Sequence, residues 1–178
     1  VLNYSPVLNK GSIEMSMEED FAATWFSAEN SSILASIEVV DEETTDQFEW
    51  AISTPPSSGE ASIGNSITDL IYVPDGNFSG KDVFVVSVTD SGANGEGGKS
   101  DFIDIIVNVK QVDDEPVFRS SPFSSSNRES IISWNDESEY FYRVETYDAD
   151  WPFFGAPVLS LNSTLPSWLS FVEEANAS

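Results

Sequence analysis

The sequence predicts an all-β fold in which two antiparallel sheets pack face to face. Three observations carry this. Two long runs, Asp82–Asp90 and Asp101–Val109, alternate apolar and polar residues and are joined by the Gly-rich Ser91–Ser100, which reads as a hairpin tip. No window shows a convincing helical period. Clusters of Pro, Gly, Asp and Ser interrupt the chain at short intervals, as turns between short strands do.

The elements follow in order. Ile33–Val40 is rich in β-branched residues and partly alternating, so it is expected as a strand, closed by the acidic turn Asp41–Asp46. Gln47–Ser53 alternates for most of its length and is broken by Thr54-Pro55-Pro56-Ser57-Ser58-Gly59. Glu60–Ile63 and Asp69–Val73 are short strands, and Pro74–Gly80 is a loop by composition. With the two long runs, this makes about seven short strands, the pattern of a sandwich with immunoglobulin-like Greek-key topology.

After Val112-Asp113-Asp114-Glu115-Pro116 the pattern restarts. Residues 1–115 are expected to form one complete module, with 1–6 the tail of a preceding linker, and 116–178 the start of a second. In the second module, Glu139–Glu145 and Pro157–Leu161 read as strands, with the acidic turn Tyr147–Asp150 between them. These are too few strands for a sandwich, and the chain neither opens on Met nor ends at a pattern boundary, so the sequence predicts an excerpt of a longer protein.

Composition excludes whole classes of function. Seven Lys and Arg against 31 Asp and Glu give a formal charge of −24, which repels nucleic-acid phosphates and anionic membrane surfaces. No segment is apolar enough to span a bilayer. Cysteine and histidine are absent, which removes disulfides, thiolate and imidazole metal sites, and Ser-His-Asp or Cys-His catalysis. Any metal must be held by oxygen, the preference of Ca²⁺. Apolar residues at 40%, 12% of the chain being aromatic, still supply a sizeable core. Trp25, Trp50, Phe84 and Trp168 are expected in it.

Several motifs keep a fixed order: Glu19-Asp20, Asp41-Glu42-Glu43, Gly59-Glu60-Ala61, Tyr72-Val73-Pro74 through Phe78-Ser79-Gly80-Lys81-Asp82-Val83-Phe84, Val88-Thr89-Asp90-Ser91-Gly92, and Val112-Asp113-Asp114-Glu115-Pro116-Val117. In this order they resemble the bacterial cadherin-like tandem repeats, over roughly residues 6–117. Through Tyr147–Asp150 and Leu165–Phe171 the second module resembles a dystroglycan-type cadherin-like or immunoglobulin-like repeat.

The resemblance implies calcium at the joint after the first module, with Glu19 and Asp82 from its base, Asp113 and Asp114 from the linker, and Asp148 and Asp150 from the second module. It implies a second, weaker set at the opposite pole: Asp41, Glu43 and Asp90. There the chain departs from the family, because Tyr4 stands where an aspartate is expected. The implied role is a non-catalytic structural or adhesive module of a secreted or cell-surface repeat protein, bacterial in type. Its partners would be calcium, neighbouring repeats of the same chain, and a surface protein or polysaccharide.

Each acid also has a plainer reading, as a solvated turn residue. Trp151, Phe153 and Phe154, just after an acidic turn, fit either a packing plug or a platform for a sugar ring. The second choice defines the alternative function, a carbohydrate-binding accessory module of a polysaccharide-degrading enzyme. Asn30-Ser31-Ser32, Asn77-Phe78-Ser79 and Asn162-Ser163-Thr164 match the N-glycosylation sequon.

Overall fold

The computed structural model describes residues 2–20, 28–42, 47–92, 97–120, 142–165, 167 and 170–172. The chain runs through β1 (Val7–Leu8), β2 (Ser12–Glu18), helix α1 (Ala28–Ala35), β3 (Val39–Val40), β4 (Phe48–Thr54), β5 (Gly59–Ser62), a single 3-10 turn at Ile67–Asp69, β6 (Ile71–Pro74), β7 (Gly80–Asp90), β8 (Ser100–Lys110), β9 (Val117–Phe118) and β10 (Thr146–Tyr147). It divides into two units, Val1–Val112 and Asp113–Ser178.

In the first unit the two long alternating runs form the centre of a four-stranded sheet of order β2-β8-β7-β4. β7 and β8 pair antiparallel from Gly80↔Val109 to Thr89↔Ser100. β4 adds antiparallel to β7, with an irregularity between Ile52 and Thr54, and β2 adds parallel to β8. A second layer contains the antiparallel pairs β5–β6 and β1–β3. This is the immunoglobulin-like sandwich the sequence predicts.

Period-two alternation decides which side chains meet between the layers. Phe84, Val86 and Val88 from β7 and Ile103, Ile105, Val107 and Val109 from β8 are buried, as are Ile13, Met15 and Met17 from β2. Leu70 and Tyr72 approach from the other layer, where the Tyr72 ring stacks on Phe84 at 5.7 Å between centroids. Trp50 is half-buried against this cluster, as expected of a core aromatic.

Two expectations are corrected in this unit. The stretch Ile33–Val40 is not one strand: α1 occupies its first part and only Val39–Val40 pairs as β3. Asn30 and Leu34, spaced four apart, are buried on one face of α1, and Ile37, just past its end, is buried as well. The Asn30 side-chain amide donates to the Ser16 carbonyl at 2.9 Å, fixing the helix to β2. Asn30 is therefore buried and its sequon is not presented to solvent. The second correction is β2 itself, a seven-residue strand where the sequence pattern predicts no element.

In the second unit β9 and β10 pair antiparallel, Thr146 opposite Phe118 and Tyr147 opposite Val117. The Arg119 guanidinium lies 3.7 Å from the Tyr147 ring centroid, a cation–π contact. Pro157–Leu161, expected as a strand, has no strand structure, and its Val158 is 85% exposed. An apolar segment without a paired neighbour has no ladder to join. The expected Glu139–Glu145 strand begins outside the described residues. Its described part carries no strand structure, and the ladder starts at Thr146. Trp25, Glu43 and Trp168 also lie outside the described residues.

Candidate functional site

The acidic residues singled out by the sequence fall into three environments. Asp82, the third residue of β7, points inward and is 1% exposed. Its Oδ1 accepts from the Ser57 N–H at 3.1 Å, the Ser57 hydroxyl at 3.0 Å and its neighbour Val83 N–H at 2.9 Å. Its Oδ2 accepts from the Ser58 N–H at 2.9 Å and the Tyr72 hydroxyl at 3.0 Å. Burial pushes this carboxyl up, but the two serine N–H groups, the Ser57 hydroxyl and the Tyr72 hydroxyl together outweigh it and hold the pKa below the ordinary aspartate value. Burial raises the Tyr72 pKa, and the bond to Asp82 with the charges of Asp82 and Asp75 raises it further.

The local sequence explains the arrangement. Pro55-Pro56 ends β4, so Ser57 and Ser58 cross to the second layer with their N–H groups unspent by any ladder. Gly59 follows, and a Cβ there would lie 2.4 Å from the Val73 carbonyl and 2.9 Å from the Tyr72 ring. The missing side chain lets the turn sit flat on the tyrosine. One carboxylate thereby ties β7, β6 and the β4–β5 turn together.

Asp90, at the other end of β7, is also buried. It accepts from the Asn3 side-chain amide at 3.2 Å, the Gly92 N–H at 2.7 Å and the Lys99 N–H at 3.1 Å. Burial acts to raise its pKa, but those three donors and the Lys99 charge bring it below the ordinary value. The Lys99 ammonium also donates to the Asn3 carbonyl, closing the start of the chain onto the hairpin mouth. Asp41, after β3, is half-buried.

The third environment holds the remaining acids. Glu19 is buried in the first unit, its N–H bonded to the Lys110 carbonyl at 2.9 Å and its Oε1 accepting from the Val112 N–H at 2.8 Å. In the second unit Asp150 is buried and its Oδ2 accepts from the Asp114 N–H. Asp148 Oδ1 accepts from the Asp150 N–H at 2.9 Å, so linker and turn are already folded against each other, while Asp113 is exposed. Among the described residues no three acidic side chains converge in a way that would hold a metal.

Beyond this turn Trp151, Phe153 and Phe154 are exposed, Phe153 at 76%. Four residues that shape these environments are not predicted by the sequence pattern: Ser57, Ser58, Asn3 and Lys99. Only the Pro-Pro break before Ser57 hints at them, because a turn that cannot pair must spend its N–H groups elsewhere.

The first unit, a four-stranded sheet faced by a second layer of paired strands, is an immunoglobulin-like module, a class that is generally non-catalytic. The family described as Bacterial Ig domain matches residues 3–100, and the chain belongs to it. The match runs from ahead of β1 to the first residue of β8. Comparison with the curated proteins finds no match.

Among solved structures, human mucin-like protocadherin EC1-2 is 16% identical, with a TM-score of 0.46 over 63% of this chain and 56% of that one. Drosophila N-cadherin EC1-4 is 15% identical, with a TM-score of 0.39 over 83% of this chain and 34% of that one. Drosophila N-cadherin EC1-3 is 13% identical, with a TM-score of 0.35 over 62% of this chain and 35% of that one. The chain thus spans between about a third and just over half of the length of these structures.

Proposed function

We propose that this chain is a non-catalytic structural or adhesive part of a secreted or surface-attached repeat protein, in which calcium stiffens the segment after the first module. The observation that carries this reading is the fold of the linker onto the acidic turn: Asp114 bonds Asp150, Asp150 bonds Asp148, and Asp150 is buried. A buried carboxylate beside another acid is costly unless a cation or donors compensate it.

Oxygen is the only donor type these residues offer, which suits a hard cation. Asp113, Asp114, Asp148 and Asp150 are the ligands we propose, to be drawn together as the ion binds, since they do not converge on one point in this structure. When bound, the ion would supply charge neutralisation and cross-linking of linker to turn. Asp82 and Asp90 are left out, since protein donors already fill their oxygens. Among the described residues no helix is long and apolar enough to cross a membrane, and the Bacterial Ig domain match supports placement outside the cell.

Calorimetric titration with Ca²⁺, and thermal melts in chelator and in millimolar Ca²⁺, test this on wild type, Asp150→Asn and Asp114→Ala. Saturable binding that raises the melting temperature and is weakened by Asp150→Asn is expected. Absence of binding would leave the turn as ordinary solvated structure and end the calcium reading.

The exposure of Trp151, Phe153 and Phe154 favours a second reading, a platform for polysaccharide. Binding on a glycan array that is lost in Trp151→Ala is its signature. A blank array would remove it.

A further inference from the structure

We propose that Asn77, in the turn between β6 and β7, is an acceptor for an N-linked oligosaccharide. The inference takes from the functional reading only the placement of the chain outside the cell, the route along which such sugars are attached; calcium has no part in it. Its basis is which sequon the fold of the first unit exposes. Asn30 is buried on α1 and its side-chain amide donates to the Ser16 carbonyl, so that nitrogen is already committed inside the unit. Asn77 and Ser79, the two ends of the Asn77-Phe78-Ser79 sequon, are both exposed, while Phe78 between them is half-buried against the core.

The turn explains how the chain presents them. The Phe78 N–H donates to the Asp75 carbonyl at 3.0 Å, and Asn77 has a φ of 59°, the left-handed value that the third position of such a turn reserves for Gly or Asn. Asparagine thus stands at a tip where most residues would be strained. The Asp75 N–H donates to the Ser58 carbonyl at 2.9 Å and the Asn77 N–H to Asp20 Oδ1 at 3.3 Å, while a Cβ at Gly80 would lie 3.7 Å from the Phe78 ring. Backbone and ring are held, and Asn77 and Ser79 stay exposed. The turn by itself would be served as well by glycine at position 77 and asks for no hydroxyl at position 79.

An amide and a hydroxyl two residues apart are what the transfer uses. The donor class is an oligosaccharide joined through its C1 to a polyisoprenyl diphosphate. Asn77 Nδ2 bonds to C1 as the bond from C1 to the phosphate oxygen breaks; the lipid diphosphate leaves with the electron pair, and one amide proton passes to a base of the transferase. An amide nitrogen is a weak nucleophile because its lone pair is shared with the carbonyl. The transferase must therefore grip the segment tightly, and the hydroxyl gives it a hold. Asp75, exposed two residues before Asn77, adds a negative charge for a cationic acceptor groove. Asn162-Ser163-Thr164 is exposed as well, but has the uncharged Ser160 at that place.

The test uses the full chain, purified folded and incubated with a bacterial oligosaccharyltransferase and its lipid-linked oligosaccharide, with readout by intact mass and peptide mapping. One oligosaccharide at Asn77 is expected on most molecules, and none at Asn30. The Asn77 adduct is expected to vanish in Asn77→Gly, a residue at ease in the left-handed turn, and in Ser79→Ala, and to return in Ser79→Thr. Melts matching wild type establish that each variant is folded. An unmodified Asn77, sugar at Asn162 alone, or an Asn77 adduct that survives Ser79→Ala would overturn the proposal. The reaction is run on purified chain, so such a failure would leave the placement outside the cell and the calcium reading to their own tests.

Discussion

Replacing Asp82 by alanine removes the acceptor for four donors that come from outside β7: two backbone N–H groups, one serine hydroxyl and the Tyr72 hydroxyl. Hydrogen bonds to a charged group contribute about 1.5–3 kcal/mol each, and a buried donor left without a partner costs about 1–3 kcal/mol. The full sum does not apply. Ser57 is exposed, so its N–H and hydroxyl can turn to water, and Tyr72 keeps a second partner in the Ser58 carbonyl at 3.2 Å. The net cost is about 3 kcal/mol, carried mainly by Ser58 N–H and by the loss of the tie between layers. For a domain of this size that lowers the melting temperature by roughly 12–20 °C. Tyr72→Phe, which deletes one donor and leaves the carboxylate its others, should cost about 1 kcal/mol. The assay is thermal and urea unfolding, each in chelator and in millimolar Ca²⁺. A loss of a few degrees or less in Asp82→Ala, or a large loss seen only with calcium present, would refute the reasoning, since it would mean that the carboxylate serves a cation rather than the protein's own donors.

Three further outcomes rest on the same contacts. Asp82 and Asp90 both have folded pKa values below their unfolded ones, so their stabilisation is complete above about pH 4–5 and is lost as pH falls through the folded values; acid unfolding followed by tryptophan fluorescence should show a shallower slope in Asp82→Asn than in wild type. Tyr72 has the opposite sign: its raised pKa means stability is full below about pH 10 and falls as pH rises beyond it, and Tyr72→Phe should flatten that alkaline limb. Gly59→Ala drives a methyl against the Val73 carbonyl and the Tyr72 ring, at a cost of about 1–3 kcal/mol measurable by urea denaturation, whereas Gly76→Ala, whose Cβ meets nothing, should change little.

The parts of the fold that are legible in the sequence are those where alternation and residue type agree. β7 and β8 carry Val, Ile and Phe at their inward positions, so periodicity and β propensity point the same way. β2 has a cleaner alternation still, Ser-Ile-Glu-Met-Ser-Met-Glu, every second residue buried. It is hard to read because two of its three inward residues are methionine, which has no marked strand preference. Ile33–Val40 fails the other way. Its β-branched residues suggest a strand, but Leu34 shares a helical face with Asn30, and burial of that face overrides the propensity of single residues.

The candidate site is legible only as far as the positions of its acids, because spacing reports where a carboxylate stands and not what fills it. Asp82 and Asp150 look alike in the sequence, each an aspartate at the edge of a turn or strand, and both are buried. What separates them lies in distant residues. Asp82 meets Ser57 and Ser58, whose N–H groups are freed by Pro55-Pro56, and Tyr72 from another strand. Asp150 meets the linker backbone at Asp114 and stands beside Asp148, a second acid. Surrounded by donors, the first carboxylate has its charge met within the fold, and a cation there would have to displace bonds already made. The second has an acidic neighbour bonded to its own backbone, and under the proposed function a cation would bridge the two. Calcium dependence, if the chain has it, should therefore reside in Asp150→Asn and be absent from Asp82→Asn, although the Asp82 substitution is the more damaging to stability.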